Sequence, residues 1–369
     1  MESAAKKNGV NARFVLKVKF IQFQSMLAKI IQNEQTGLAA WQKELTESYT
    51  QPDGLLAHLD IPPEPSHSGE RAVAAACKQF PMRVPRSFVR RMTKGDRNDP
   101  LLRQVLPLAD EWVFTPGFSR DPLAEQNSAC PGLVHKYRNR VLLMVKGCCA
   151  VNCRYCFRRY YPYRENGRAG NQWQHALDYV AAHSSLNEVI LSGGDPLMAD
   201  DRPLSWLVDR IARIPHIKRL RIHTRLPVAI PQRITAGLVQ LLAGSRLQTL
   251  MVLHINHANE VNDELAESLH PLKRTGITLL NQAVLLKGVN DSVETQAALS
   301  EKLFDAGILP YYLHILDRVQ GAGHFLVAED HARDLLAGLM GRVSGYLVPR
   351  LAREISGRDS KIPVDLYMQ

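Results

Sequence analysis

No apolar run in this 369-residue chain approaches the roughly 20 residues that a membrane-crossing helix needs. Stretches such as 141–145 and 277–280 are among its longest. The N-terminus is basic and has a short apolar stretch at 20–23. It lacks the long apolar core and small-residue cleavage site of a secretory leader. Cysteine is scarce and unevenly spread. Cys148, Cys149, Cys153 and Cys156 are crowded together, and only Cys77 and Cys130 stand apart. A secreted disulfide scaffold would disperse them, so the pattern suits a reducing, cytoplasmic setting and a metal or cluster site. Internal repeats and low-complexity tracts are missing too. With 45% hydrophobic and 22% charged residues, the chain does not have a disordered composition.

Acidic residues are fewer than basic ones, 36 against 46, for a formal charge of +10. A basic balance can signal a polyanionic partner. Part of it is local, because Lys6, Lys7, Arg13, Lys17 and Lys19 face only Glu2 in the first 25 residues. The remainder fits a site for phosphates and carboxylates equally well, so no nucleic-acid partner is expected. Residues 1–37 are read as an N-terminal extension, with Met26 a candidate initiator. Residues 38–137, dense in turn signals such as Pro52-Asp53-Gly54, are read as a helical region.

From about residue 138, short apolar runs alternate with helical stretches. Strands are expected at 140–146, 188–192, 219–224, 249–254, 277–283 and 310–316. The runs are continuous rather than alternating, as in parallel strands buried on both faces. Helices are expected near 173–183, 203–214, 231–243, 260–275, 293–306 and 328–344. The spacing of about thirty residues is that of a βαβ unit. Polar residues follow successive strands: the cysteines, then Gly193-Gly194-Asp195, His223 and Arg225, His254 and Asn256, Asn281 and Gln282, and Asp317. A barrel gathers such strand ends around one mouth, whereas an open doubly wound sheet spreads them along an edge. The expected architecture is therefore a partial α/β barrel over 138–345, followed by a segment at 346–369.

Cys149, Cys153 and Cys156 form C-x3-C-x2-C. Three thiolates on one short loop suit three irons of a cubane [4Fe–4S] cluster, leaving the fourth iron open to a ligand. Zinc with Cys148 as fourth ligand is the alternative. Adjacent cysteines reach one metal poorly, and no later cysteine completes a second pair.

This spacing resembles the radical S-adenosylmethionine signature. Ser192-Gly193-Gly194-Asp195-Pro196 resembles that superfamily's glycine-rich motif, which implies contact with the methionine amino group. The resemblance extends over 41–366 to the lysine 2,3-aminomutase family. It is carried by KYRNRVLLMVKGCCAVNCRYCFRR, LSGGDPL, RLRIHTRLPVAIPQRIT, HINHANE, NQAVLLKGVND, PYYLHILD and EISGRDSKIP. Within the family, the chain is most similar to the bacterial branch that serves elongation factor P.

The resemblance implies a radical S-adenosylmethionine partial (β/α)6 barrel with three cofactors: the cluster, S-adenosylmethionine and pyridoxal phosphate. It places pyridoxal phosphate as a Schiff base on Lys361, near Lys136, Tyr137 and Arg140. Ser192, Gly193, Gly194, Asp195, His254 and Gln282 fall at S-adenosylmethionine positions. Arg158 falls where the family holds the substrate α-carboxylate. Asp317 and Glu354 fall where it holds the distal ammonium, with Glu354 one methylene longer than the aspartate common there. Arg159 is read as solvated. The implied reaction converts L-lysine to (R)-β-lysine by a radical 2,3-amino shift. The implied partners are an external one-electron reductant and the ligase that attaches β-lysine to elongation factor P. The clostridial members' C-terminal zinc cysteines are missing here, and a homo-oligomer is left open. The rival readings are an RNA-modifying radical enzyme, an aminomutase for another amino acid, and a non-catalytic metal scaffold.

Overall fold

The computed structural model describes residues 39–62, 67–126, 130–163 and 171–366, so the extension read at 1–37 lies outside the described residues. One sheet of nine strands organises them, in chain order. The strands are β1 Leu133–Tyr137, β2 Arg140–Lys146, β3 Glu188–Gly193, β4 Arg219–Thr224, β5 Gln248–Leu253, β6 Thr278–Val284, β7 Leu309–His314, β8 Arg350–Arg353 and β9 Ile362–Pro363. β2 through β8 are parallel, while β1 and β9 add antiparallel edges.

The six expected strands all form. β3 is buried at every residue, which explains its unbroken apolar run. Helices make the crossovers, each turning one apolar face to the sheet. Asp201–Ala212 buries Leu204, Leu207, Val208 and Ile211, a spacing that lies on one side of an α-helix. Asn262 and Ser292 cap the helices Asp263–Arg274 and Val293–Asp305 by accepting from Leu265 N and Thr295 N.

The sheet runs further than six strands at both edges. β1 lies in the region read as helical and turns into β2 through Arg138-Asn139, a loop without the usual glycine signal. β8 and β9 come from the expected C-terminal segment, so that segment continues the sheet. β8 escapes a pattern search because only Leu351 and Ala352 of its four residues are buried. The edges approach each other: Lys136 on β1 reaches Glu354, just past β8, with Nζ 2.9 Å from Oε1. Among the described residues, side chains rather than strand pairing bridge the gap, as in a partial barrel.

The N-terminal region is helical over Ala40–Thr46, Pro52–His58, His67–Gln79, Arg86–Val89 and Pro100–Arg103. A buried ion triad fastens the cysteine loop to it. Glu111 Oε2 accepts from Arg154 Nη2 at 2.6 Å and Arg159 Nη2 at 2.5 Å, and Arg154 also donates to Phe80 O at 2.6 Å. Arg159 is thus a buried structural cation, not a solvated one, because Glu111 supplies a partner from the other layer. Among the described residues no helix is long and apolar enough to cross a membrane.

Candidate active site

The carboxyl ends of the strands surround a cavity of about 440 Å³, lined by residues from β1 at one edge to Lys361 at the other. Cys149, Cys153 and Cys156 all face it, while Cys148 is exposed and outside its lining. Burial, followed by nearby anionic groups, pushes the Cys149 thiol well up, and burial and Cys153 push Cys156 to about 11. Cys149 and Cys156 are therefore held as thiolates here only against a strongly cationic centre. Among the described residues no three His, Cys, Asp or Glu side chains are grouped to hold one metal ion. A cubane takes one thiolate per iron and needs no such convergence, so the donor set fits a cluster better than zinc.

The glycine turn is sewn to this loop backbone to backbone. Gly194 N donates to Lys146 O at 2.7 Å and Asp195 N to Cys148 O at 2.9 Å. A Cβ on Gly194 would sit 2.5 Å from Cys148 O, and one on Gly193 equally close to Lys146 O. Gly193 also has φ +123°, a conformation that side chains oppose. The two motifs read separately in the sequence are one structural unit, and the glycines permit the contact.

Asp195 does something other than expected. Its Oδ1 accepts from Leu197 N and Thr224 Oγ1 at 3.0 and 2.7 Å, and its Oδ2 from Arg225 N and Leu226 N at 2.7 and 2.9 Å. Four donors fill the four lone-pair sites of a carboxylate. Asp195 therefore fixes the ends of β3 and β4 and has no site left for a ligand ammonium. Ser192 Oγ accepts from Arg158 Nη1 at 3.1 Å, and Gly193 O accepts from Tyr163 Oη at 2.8 Å.

Across the cavity runs an alternating ladder of charge: Arg158, Glu125, Lys136, Glu354, Lys361. Glu125 takes Arg158 Nε at 2.6 Å and Arg158 Nη2 at 3.2 Å. Lys136 Nζ lies 2.9 Å from both Glu125 and Glu354. Lys361 Nζ donates to Glu354 Oε2 at 2.7 Å. Burial alone would raise Glu354, but Lys361 and Lys136 pull it down to about 2. Asp317 stands near this ladder and goes the other way. Burial, then repulsion from Glu354, pushes it up to about 7.

Two expected roles change in this light. Lys136 is already neutralised by two carboxylates, which leaves little charge for a phosphate. Arg140 faces the cavity with no carboxylate partner among the described residues, its guanidinium 4.1 Å from the Tyr137 ring centre. Arg158 gives one edge of its guanidinium to Glu125, and its Nη1 donates to Ser192 Oγ and to Gly193 O at 3.5 Å, so a substrate carboxylate meets this guanidinium only at Nη2 or by displacing the Ser192 and Gly193 contacts. His254 and Gln282 meet side by side, Nε2 to Nε2 at 2.7 Å, on the cavity wall. Burial, then Arg225, lowers His254 to about 3, so its imidazole is neutral. His223 also faces the cavity, and its Nε2 is buried without a partner, a polar atom left for a ligand.

Sequence reasoning missed Glu125, which no motif surrounds. It named Arg225 only as a strand-end residue. Arg225 is 6% exposed and donates from Nη1 to Cys153 Sγ and to Tyr155 Oη, and from Nη2 to Gln104 and Glu260. Its strand-end position and its place in the RLRIHTRLPVAIPQRIT stretch were its signals.

Residues 137–224 match the family model described as a 4Fe-4S single cluster domain. The L-lysine 2,3-aminomutase of Escherichia coli strain K12 is 58% identical over 329 residues, covering 89% of this chain and 95% of the relative. That of Haemophilus influenzae is 52% identical, covering 90% and 96%. The Clostridium subterminale L-lysine 2,3-aminomutase is 35% identical, covering 80% and 71%.

Proposed function

The chain belongs to the lysine 2,3-aminomutase family, and on that footing we propose that this cavity isomerises L-lysine to (R)-β-lysine for the modification of elongation factor P. The enzyme is an isomerase of the radical S-adenosylmethionine class, with a [4Fe–4S] cluster, S-adenosylmethionine and pyridoxal phosphate as cofactors. Together these supply a one-electron cleavage that yields a carbon radical, and an electron-delocalising ring that supports nitrogen migration.

The protein's share is binding, orientation and charge. Cys149, Cys153 and Cys156 hold the cluster. Gly193, Gly194 and Ser192 form the wall beside it, with Asp195 fixing that wall from behind. His254 and Gln282 offer neutral hydrogen-bonding groups on the opposite strands. Lys361 supplies the amine for pyridoxal phosphate, and Arg140 beside Tyr137 is the cation for its phosphate. Arg158 orients the substrate carboxylate, which takes the place of the Ser192 and Gly193 contacts on Nη1, and Asp317 and Glu354 take the distal ammonium. Enclosure keeps water from the reacting carbon and holds it in one geometry.

The observation that carries the substrate choice is the Glu354–Lys361 contact, in which a primary ammonium on a four-carbon stem is already seated on the expected carboxylate. The electron comes from an external one-electron donor, and unpaired cavity thiols suit a reducing cytoplasm. The test is a panel of amino acids offered anaerobically with all three cofactors and dithionite. L-Lysine is turned over and L-glutamate is not. Turnover of glutamate with no reaction of lysine would reassign the substrate.

A further inference from the structure

We propose that Arg225 is a positioning residue that raises the reduction potential of the iron–sulfur cluster. Its guanidinium places a permanent buried charge and an N–H donor on one ligand sulfur. The proposal rests on the reading that Cys153 is a cluster ligand.

The geometry is specific to one corner of the cysteine loop. Among the described residues, Cys153 is the expected ligand whose Sγ accepts from a guanidinium. The same Nη1 also reaches Tyr155 Oη at 2.7 Å. Nη2 is held by Gln104 Oε1 at 2.7 Å and by the fully buried Glu260 at 2.8 Å. The backbone N of Arg225 donates to Asp195. The rings of Phe88 and Tyr155 lie 5.4 and 5.8 Å from the guanidinium carbon and help to exclude water. The cation is thereby fixed against the loop from four sides and cannot swing away. A charge and a donor in such a low-dielectric place act more strongly than in water.

The electronic consequence has a definite sign. Taking one electron from an external donor makes the cluster and its thiolates one unit more negative, with no bond made or broken in the protein. A cation and an N–H donor at a ligand sulfur stabilise that form over the oxidised one. Lysine could keep the charge but not the fork that reaches Cys153, Tyr155, Gln104 and Glu260 together. Glu260 tempers the effect, since it sits on the same guanidinium with the opposite charge.

The test is a spectropotentiometric titration of anaerobically reconstituted wild type, R225M, R225K and E260Q, followed by electron paramagnetic resonance, with iron counted in each. At a fixed applied potential, R225M shows a ratio of reduced to oxidised cluster at least tenfold below wild type, equivalent to a 59 mV shift for one electron. R225K falls between them. E260Q shifts the other way, because the cation then acts undiluted, and a merely structural loss would not raise the potential. Full iron content with an unchanged potential in R225M overturns the proposal. Should R225M load no iron, E260Q decides, and an unchanged or lower potential there overturns it. Failure of the underlying ligand reading looks different: Cys153→Ala would then retain the full cluster.

Discussion

Glu354 holds two lysine ammonium groups at once, Lys136 on Oε1 at 2.9 Å and Lys361 on Oε2 at 2.7 Å. This carboxylate is the point where the two edges of the sheet meet. It joins the last rung of the charge ladder to Lys361, and under the function proposed above substrate recognition and cofactor attachment share this one acidic group.

Removing that charge isolates its contribution. Glu354→Gln keeps the shape but loses charge-assisted hydrogen bonds worth about 1.5–3 kcal/mol each. KM for L-lysine is expected to rise about tenfold or more. A KM unchanged from wild type in steady-state kinetics would remove Glu354 from substrate binding.

Asp317 gives the site a pH response. With its carboxyl pushed up to about 7 by burial and Glu354, it is only partly charged at neutral pH. The other charged groups acting on it are Lys361, Glu125 and Lys136. A substrate ammonium favours the charged form, so KM for L-lysine should fall as pH rises from 6 to 8, and Asp317→Asn should flatten that profile. The same shift carries a stability cost. The folded state binds the proton more tightly than the unfolded chain, so stability falls as pH rises from the unfolded value toward 7. Asp317→Asn is therefore expected to raise Tm at pH 8 while weakening lysine binding. A lower Tm would contradict the burial argument.

The Glu111 triad makes a separate prediction about the cluster loop. Glu111→Leu leaves Arg154 and Arg159 buried without their shared carboxylate, a change that costs about 3–5 kcal/mol. Thermal denaturation should show a large drop in Tm. Reconstituted iron content should fall with it, because Arg154 lies between Cys153 and Cys156.

Gly194→Ala tests the join between the two motifs. The new Cβ would sit 2.5 Å from a backbone carbonyl that has no flexible end to move. Cluster content is expected to fall severalfold. Full iron loading with normal absorption would show that the turn tolerates displacement.

The six central strands and their helices were legible because parallel strands buried on both faces write themselves as apolar runs at βαβ spacing. The cysteines, the glycine turn and Lys361, which the fold brings to one cavity, stand out in the sequence because they sit in contiguous motifs, Lys361 through the family resemblance. The edge strands were not, since β1 turns on Arg138-Asn139 and β8 buries only Leu351 and Ala352. Glu125 was missed, and Arg225 was named without a role, for a different reason. Their importance lies in partners far along the chain, Arg158 for the first and Cys153 and Gln104 for the second, and only the folded sheet brings these together. Asp195 was found but misread, because the four donors that fill its carboxylate come mostly from the end of a different strand.

The most direct measurement is chiral analysis of the amino acid formed when reconstituted protein, S-adenosylmethionine, pyridoxal phosphate and dithionite meet L-lysine without oxygen. The account predicts (R)-β-lysine from wild type and none from Cys153→Ala or Lys361→Ala. Cleavage of S-adenosylmethionine by fully loaded enzyme with no β-lysine of either hand would contradict it.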